Sequence, residues 1–193
     1  MKIIDISREL LSAPVYPGDR APVVTRTSDI HAGDVATISE ISACLHNGTH
    51  LDAPCHFFPD ADDITAYPLD TLCGECYVAE ATGVLTGEDM EKLLSRKVGI
   101  ERLLLKGGAT LSQSAAFVLC DAGLKLVGVE DTSVAPSSET AVVHRKLLAE
   151  PIAILENLDL SEVAEGWYFL FAAPLKIDGA DGAPVRALLL ERQ

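Results

Sequence analysis

Arg102-Leu103-Leu104-Leu105, Lys125-Leu126-Val127-Gly128-Val129 and Ile152-Ala153-Ile154-Leu155 are short apolar runs, each separated from the next by a stretch of helical character. Runs of this length without polar alternation suit strands buried on both faces. Between the first two lies Ser112 to Asp121, which Gly123 stops. Between the second and third lies Ser137 to Ala149, ended before Pro151. Strand, helix and strand in repetition predict an α/β class with a parallel core.

Working outward, Ile3-Ile4-Asp5-Ile6 reads as a short strand, and Ala13 to Asp19 is dense in turn formers and reads as an ordered loop. Residues about 22–30 and 35–45 read as strands joined around Ala32-Gly33-Asp34. Cys76 to Ala81 is another strand. Thr86 is a helix N-cap, with Glu88 and Asp89 in the first turn of a helix running to about Leu94. Trp167 to Phe171 and Ala187 to Leu190 read as final strands, with Gly179-Ala180-Asp181-Gly182 as a flexible loop between them. No repeat or linker divides the chain, so residues 1–193 are expected to form one domain.

The net charge of −14 opposes binding to nucleic acid or an anionic membrane, and is compatible with a neutral or cationic small substrate. Met1 to Ile6 carries no signal-peptide pattern, and no apolar window reaches the roughly 18 residues of a membrane span. Five cysteines at irregular spacing argue for reduced thiols, hence for a cytoplasmic protein.

Four of the five histidines fall in two clusters. The first is His46-Asn47-Gly48-Thr49-His50-Leu51-Asp52-Ala53-Pro54-Cys55-His56. The second is His144 with Glu156 twelve positions on. Imidazole and carboxylate suit borderline divalent ions such as zinc, manganese or iron. On a straight strand His46 and His50 would lie about 13 Å apart at ~3.3 Å per residue, too far for one ion. A kink at Asn47-Gly48, where a positive φ is cheap, brings them together, and Pro54 then turns His56 inward. A histidine on a helix face such as that of His144 more often serves a core. A carboxylate ending a buried strand, as Glu156 does, is costly unless paired or coordinated.

The pattern His46-x-Gly48-Thr49-His50-x-Asp52-Ala53-Pro54-x-His56 resembles the signature of the metal-dependent cyclase family, which includes bacterial kynurenine formamidase and isatin hydrolase. Asp5-Ile6-Ser7, Val15 to Asp19, Gly128 to Thr132 and Ile154 to Leu158 resemble its other motifs. The resemblance implies a swivelling β/β/α fold and a homodimer or higher homo-oligomer. It implies that His46, His50 and Asp52 hold one ion. Asp52, bridging, would join His144 and Glu156 around a second. It implies zinc, one or two ions per chain, or a single manganese as in isatin hydrolase-like members. His56 would be the acid–base residue, and Tyr16 part of an aromatic substrate wall where formamidases carry Trp. The implied activity is arylformamidase-like hydrolysis of an amide-type C–N bond. The alternatives are cyclic amide hydrolysis of the isatin type, or metal binding without turnover.

Three other features read more plainly. Cys73-Gly74-Glu75-Cys76 is a lone C-x-x-C, placed ahead of a strand rather than opening a helix, which favours incidental thiols over a redox pair. Lys106-Gly107-Gly108 lacks the flanks of a nucleotide loop and reads as a tight turn. His31 sits among turn formers as a solvated loop residue.

Overall fold

The computed structural model describes residues 1–150 and 152–191. Its strands are β1 (Ile3–Asp5), β2 (Val23–Ser28), β3 (Ile38–Ser42), β4 (His50–Asp52), β5 (Cys73–Glu80), β6 (Val84–Leu85), β7 (Arg102–Lys106), β8 (Thr110–Leu111), β9 (Leu126–Val129), β10 (Ala153–Glu156), β11 (Gly166–Phe171), β12 (Gly182–Pro184) and β13 (Leu188–Leu190). The helices are α1 (Leu69–Leu72), α2 (Gly87–Arg96), α3 (Gln113–Asp121) and α4 (Thr140–Leu148). Among the described residues no helix is long and apolar enough to cross a membrane.

Among the described residues nine strands form one sheet, in the order β1-β13-β11-β5-β7-β9-β10-β4-β12. The centre, β5-β7-β9-β10, is parallel, and α2, α3 and α4 make the crossovers. This is the α/β core that the apolar runs predict. Successive residues of those strands point to opposite faces. Leu103, Leu105, Val127, Val129 and Ile154 pack on the helices through Leu119, Val143 and Leu147. Leu104, Leu126 and Leu155 face the other way, where Leu51, Leu170, Ala183 and Leu189 from the antiparallel strands join them in a second buried cluster. The sheet therefore curls over its own second face, and the antiparallel strands do the work that helices do on the first.

Local chemistry explains the ends of these elements. Thr86 and Asp89 form a reciprocal capping box at the start of α2. Ser112 caps α3, and Gly123 ends it at φ +68°. Helix α4 begins at Thr140, three residues later than expected, because the chain from Ser133 first serves the site below: the Val134 amide donates to Glu156 Oε1 at 2.6 Å. The stop at Pro151 lies outside the described residues. Strand β5 begins at Cys73, three residues earlier than expected. Gly74 hid it in the sequence. That position admits no side chain, since a Cβ would lie 2.6 Å from Arg102 Cζ. The Arg102 guanidinium there bonds the carbonyls of Asp70, Thr71 and Glu75.

Two expectations need correction. The stretch from Gly179 to Gly182 is not a free loop. Ala180 and Asp181 carbonyls accept from the amides of Ile64 (3.0 Å) and Ala53 (2.9 Å), and Gly182 opens strand β12. Cys73 and Cys76 lie within β5 rather than ahead of it, three residues apart and so on opposite faces. The turn at Gly107 and Gly108 is as expected, and its amides are used by Glu130 Oε2, at 2.6 and 3.3 Å.

Gly128 in β9 gives a stability prediction. A Cβ there would come within 2.5 Å of Leu104 Cδ2 and 3.0 Å of Leu158 Cδ1, both in the core. Gly128→Ala should cost about 1–3 kcal/mol, as overpacking does. A melting temperature equal to that of the wild type would contradict this packing.

Candidate metal centre

Strand β4 carries the first cluster. It is sandwiched between β10, with Ile154 opposite Asp52 and Glu156 opposite His50, and β12, with Gly182 opposite Asp52. Leu51 alternates into the core, which leaves His50 and Asp52 together on the other face. Gly48 takes φ +63° just before the strand. That turn sets the rings of His46 and His50 at 5.0 Å, edge to face. Pro54 starts a short 3-10 turn, Pro54–His56, that places the His56 ring 4.1 Å from that of His46. Glu156 ends β10, and α4 supplies His144.

Four side chains meet in the interior. His50 Nε2 lies 3.4 Å from Asp52 Oδ1 and 3.4 Å from Glu156 Oε2. His144 Nε2 lies 3.1 Å from Glu156 Oε1 and 3.4 Å from Asp52 Oδ2. The far nitrogen of each ring is committed to a backbone carbonyl: His50 Nδ1 to Gly48 at 2.8 Å, His144 Nδ1 to Thr140 at 2.7 Å. A carbonyl only accepts, so each Nδ1 carries a proton, and each Nε2 faces the carboxylates, where it offers a lone pair to a cation once its own proton is displaced. Thr49 and Asn47 take no part in fixing the rings. Thr49 Oγ1 donates to the Asn157 carbonyl and Asn47 Oδ1 accepts from the Cys44 amide.

This arrangement fits a divalent cation. Asp52 and Glu156 are almost wholly buried, and among the described residues no lysine or arginine is bonded to them, a costly arrangement for two carboxylates. His50 Nε2 and Asp52 Oδ2 are buried without a hydrogen-bond partner. Bonds of ~2.0–2.1 Å at tetrahedral angles hold neighbouring ligand atoms about 3.3 Å apart, close to the 3.1–3.4 Å found here. Without an ion, only protons can balance the carboxylates. Burial opposes charging His50 and His144, yet the adjacent carboxylates of Asp52 and Glu156 outweigh it and raise both to about 10. The same partners hold Asp52 well below the usual carboxylate range against its burial. A cation would replace those protons.

A second group adjoins the first. His46, Asp52 and His56 have potential ligand atoms within 4.8 Å of one another, as do His50, Asp52 and Glu156. Asp52 is common to both groups. His46 Nδ1 meets Asp52 Oδ1 at 2.9 Å. His46 Nε2 meets Asp181 Oδ2 at 3.1 Å. Burial lowers the pKa of His56, partly offset by Asp52, so this ring is neutral near pH 7. The site opens into a cavity of about 270 Å³, lined by Tyr16 and Asp19 along with the four clustered histidines, Phe57, Thr132, Ser133 and Glu156. Tyr16 thus stands at the same cavity as the proposed ligands. Phe57 stacks on His144 with centroids 4.9 Å apart.

Asp181 and Phe57 are the residues that sequence reading missed. Phe57 had a signal in its place beside His56. Asp181 had none, since 135 positions separate it from His46. The thiols of the C-x-x-C pair do not line this cavity. Cys73 and Cys76 are free, and burial pushes the Cys76 thiol up to about 12, the opposite of a reactive thiolate.

Comparison with known proteins bears on the family and the fold. The Cyclase family model matches residues 4–136. A solved protein described as a "potential metal-dependent hydrolase with cyclase activity" is 28% identical, with a TM-score of 0.83 over 100% of this chain and 98% of its own. A metal-dependent hydrolase from Bacillus stearothermophilus, so described from prediction, is also 28% identical at TM-score 0.83, over 99% and 98%. An isatin hydrolase bound to the product analogue thioisatinate shares the fold at 17% identity and TM-score 0.86, over 100% and 93%. The motif around His50, the curled α/β sheet and a family match over more than half of the sequence agree, and the chain belongs to the Cyclase family.

Proposed function

We propose that the chain is a metal-dependent hydrolase that cleaves an amide-type C–N bond in a small molecule. The observation that carries this reading is the junction at Asp52, where buried potential ligand atoms of His50, His144, Asp52 and Glu156 converge beside the cavity. His46, His50, Asp52, His144 and Glu156 would hold one or two divalent ions, zinc first and manganese as the alternative. When bound, such an ion supplies Lewis acidity, acidifying water and polarising a carbonyl oxygen.

The chain's own groups do the rest. His56 is neutral and borders the cavity, so it can take a proton from the attacking water and return one to the leaving nitrogen. Its Nδ1 faces Asp181 at 3.4 Å, which leaves Nε2 as the exchanging nitrogen. Tyr16 and Phe57 offer aromatic walls to a planar substrate. A formylated aromatic amine of the N-formylkynurenine type is the first reading. The cavity, about 270 Å³, is small by the standard of drug-sized sites, and favours a compact cyclic amide such as isatin as the second.

The test is hydrolysis of N-formylkynurenine, isatin and simple cyclic imides by protein stripped with a chelator and reloaded with zinc or manganese. One class should turn over with either ion, stop on stripping and recover on reloading. Equal rates with and without metal, or no turnover of any amide, would overturn the reading. The same reading includes a homo-oligomer. Exposed Val23, Val24, Ile38 and Ile41 on the β2-β3 hairpin, and Trp167, Phe169 and Phe171 on the sheet, support it.

A further inference from the structure

We infer that Asp181 is a positioning residue that fixes the ring of His46 and aligns His56 beside it. The inference rests on the reading above that the Asp52 cluster holds a divalent ion. A neutral imidazole has one N–H, and His46 lies between two carboxylates: Asp52 Oδ1 at 2.9 Å from Nδ1 and Asp181 Oδ2 at 3.1 Å from Nε2. If His46 is a ligand of that ion beside Asp52, its Nδ1 gives its lone pair to the metal and carries no proton. The proton then belongs on Nε2, donated to Asp181, and Nδ1 turns its lone pair to the cluster. Backbone carbonyls do this work for His50 and His144. For His46 a carboxylate does it, and the opposite nitrogen faces inward.

The placement of Asp181 is built, not incidental. Its carbonyl accepts from the Ala53 amide at 2.9 Å. The next residue, Gly182, pairs with Asp52 across β12 and β4. The ring of His46 rests on Gly182, where a Cβ would lie 2.7 Å from His46 Cε1 and 2.8 Å from the Leu51 carbonyl oxygen. The backbone alone therefore pins this segment, and the Asp181 side chain is left to serve the two histidines. The oxygen that accepts from His46 also lies 3.4 Å from His56 Nδ1. One carboxylate thus connects a metal ligand to the acid–base residue.

Asp181→Ala and Asp181→Asn test this, with zinc as the probe. Nitrogen-15 spectra of the histidine rings in the zinc-loaded wild type should show His46 protonated on Nε2. Asp181→Ala should lose that single form and bind zinc about 10–100-fold more weakly, the usual effect of removing a partner of a ligating histidine. Asp181→Asn keeps an accepting oxygen and should recover most of the affinity. If the wild type turns over isatin or N-formylkynurenine, Asp181→Ala should lower kcat with little change in KM. If neither is a substrate, the functional reading fails, and the zinc and ring measurements still decide the role of Asp181. A wild-type His46 protonated on Nδ1, or Asp181→Ala binding zinc as the wild type does, would overturn the inference. The first needs no variant to fold.

Discussion

Asp52→Ala should take up no stoichiometric divalent ion. Asp52 is the residue that both groups of candidate ligands share. Its Oδ1 meets His46 at 2.9 Å and His50 at 3.4 Å, and its Oδ2 meets His144 at 3.4 Å. No neighbour can replace it. Glu156 already faces His50 and His144, and Asp181 lies on the far side of His46. The substitution also removes one of two buried carboxylates, so the electrostatic need for a cation falls with the ligands. Metal analysis after dialysis against dilute zinc or manganese is the check. Full occupancy in Asp52→Ala would remove Asp52 from the ligand set, and the bridging role with it.

His56→Ala should keep its metal and lose roughly 10²–10⁴ in kcat, the usual worth of a positioned acid–base group. The ring lies outside the four-residue cluster, is partly exposed to the cavity, and is neutral because burial lowers its pKa. It also lies within ligand distance of His46 and Asp52, so the opposite result has a clear meaning. Loss of metal along with activity would make His56 a ligand, and proton transfer would need another group. Metal content and kcat measured on the same preparation separate the two outcomes.

The parallel core was legible because both faces of β7, β9 and β10 are covered, which writes continuous apolar runs into the sequence. The kink at Gly48 was legible because Gly48, Thr49 and Pro54 disfavour the helix that would otherwise bring two histidines four residues apart together, which leaves a turn. The three-residue strand β12 was not. Gly182-Ala183-Pro184 has no strand signature, and it is a strand because β4 needs a partner on its open edge. For the same reason the segment holding Asp181 read as a loop, and its contact with His46 is made by topology alone. The C-x-x-C pair was misplaced by Gly74, a glycine kept small by the guanidinium of Arg102 rather than by a turn.

The most direct test of the account is anomalous diffraction from crystals of the protein soaked in manganese or zinc. The metal peak should fall on the Asp52 carboxylate, with His50, His144 and Glu156 around it and any second peak toward His46. Peaks bound elsewhere, or a cluster still empty at saturating metal, would contradict it.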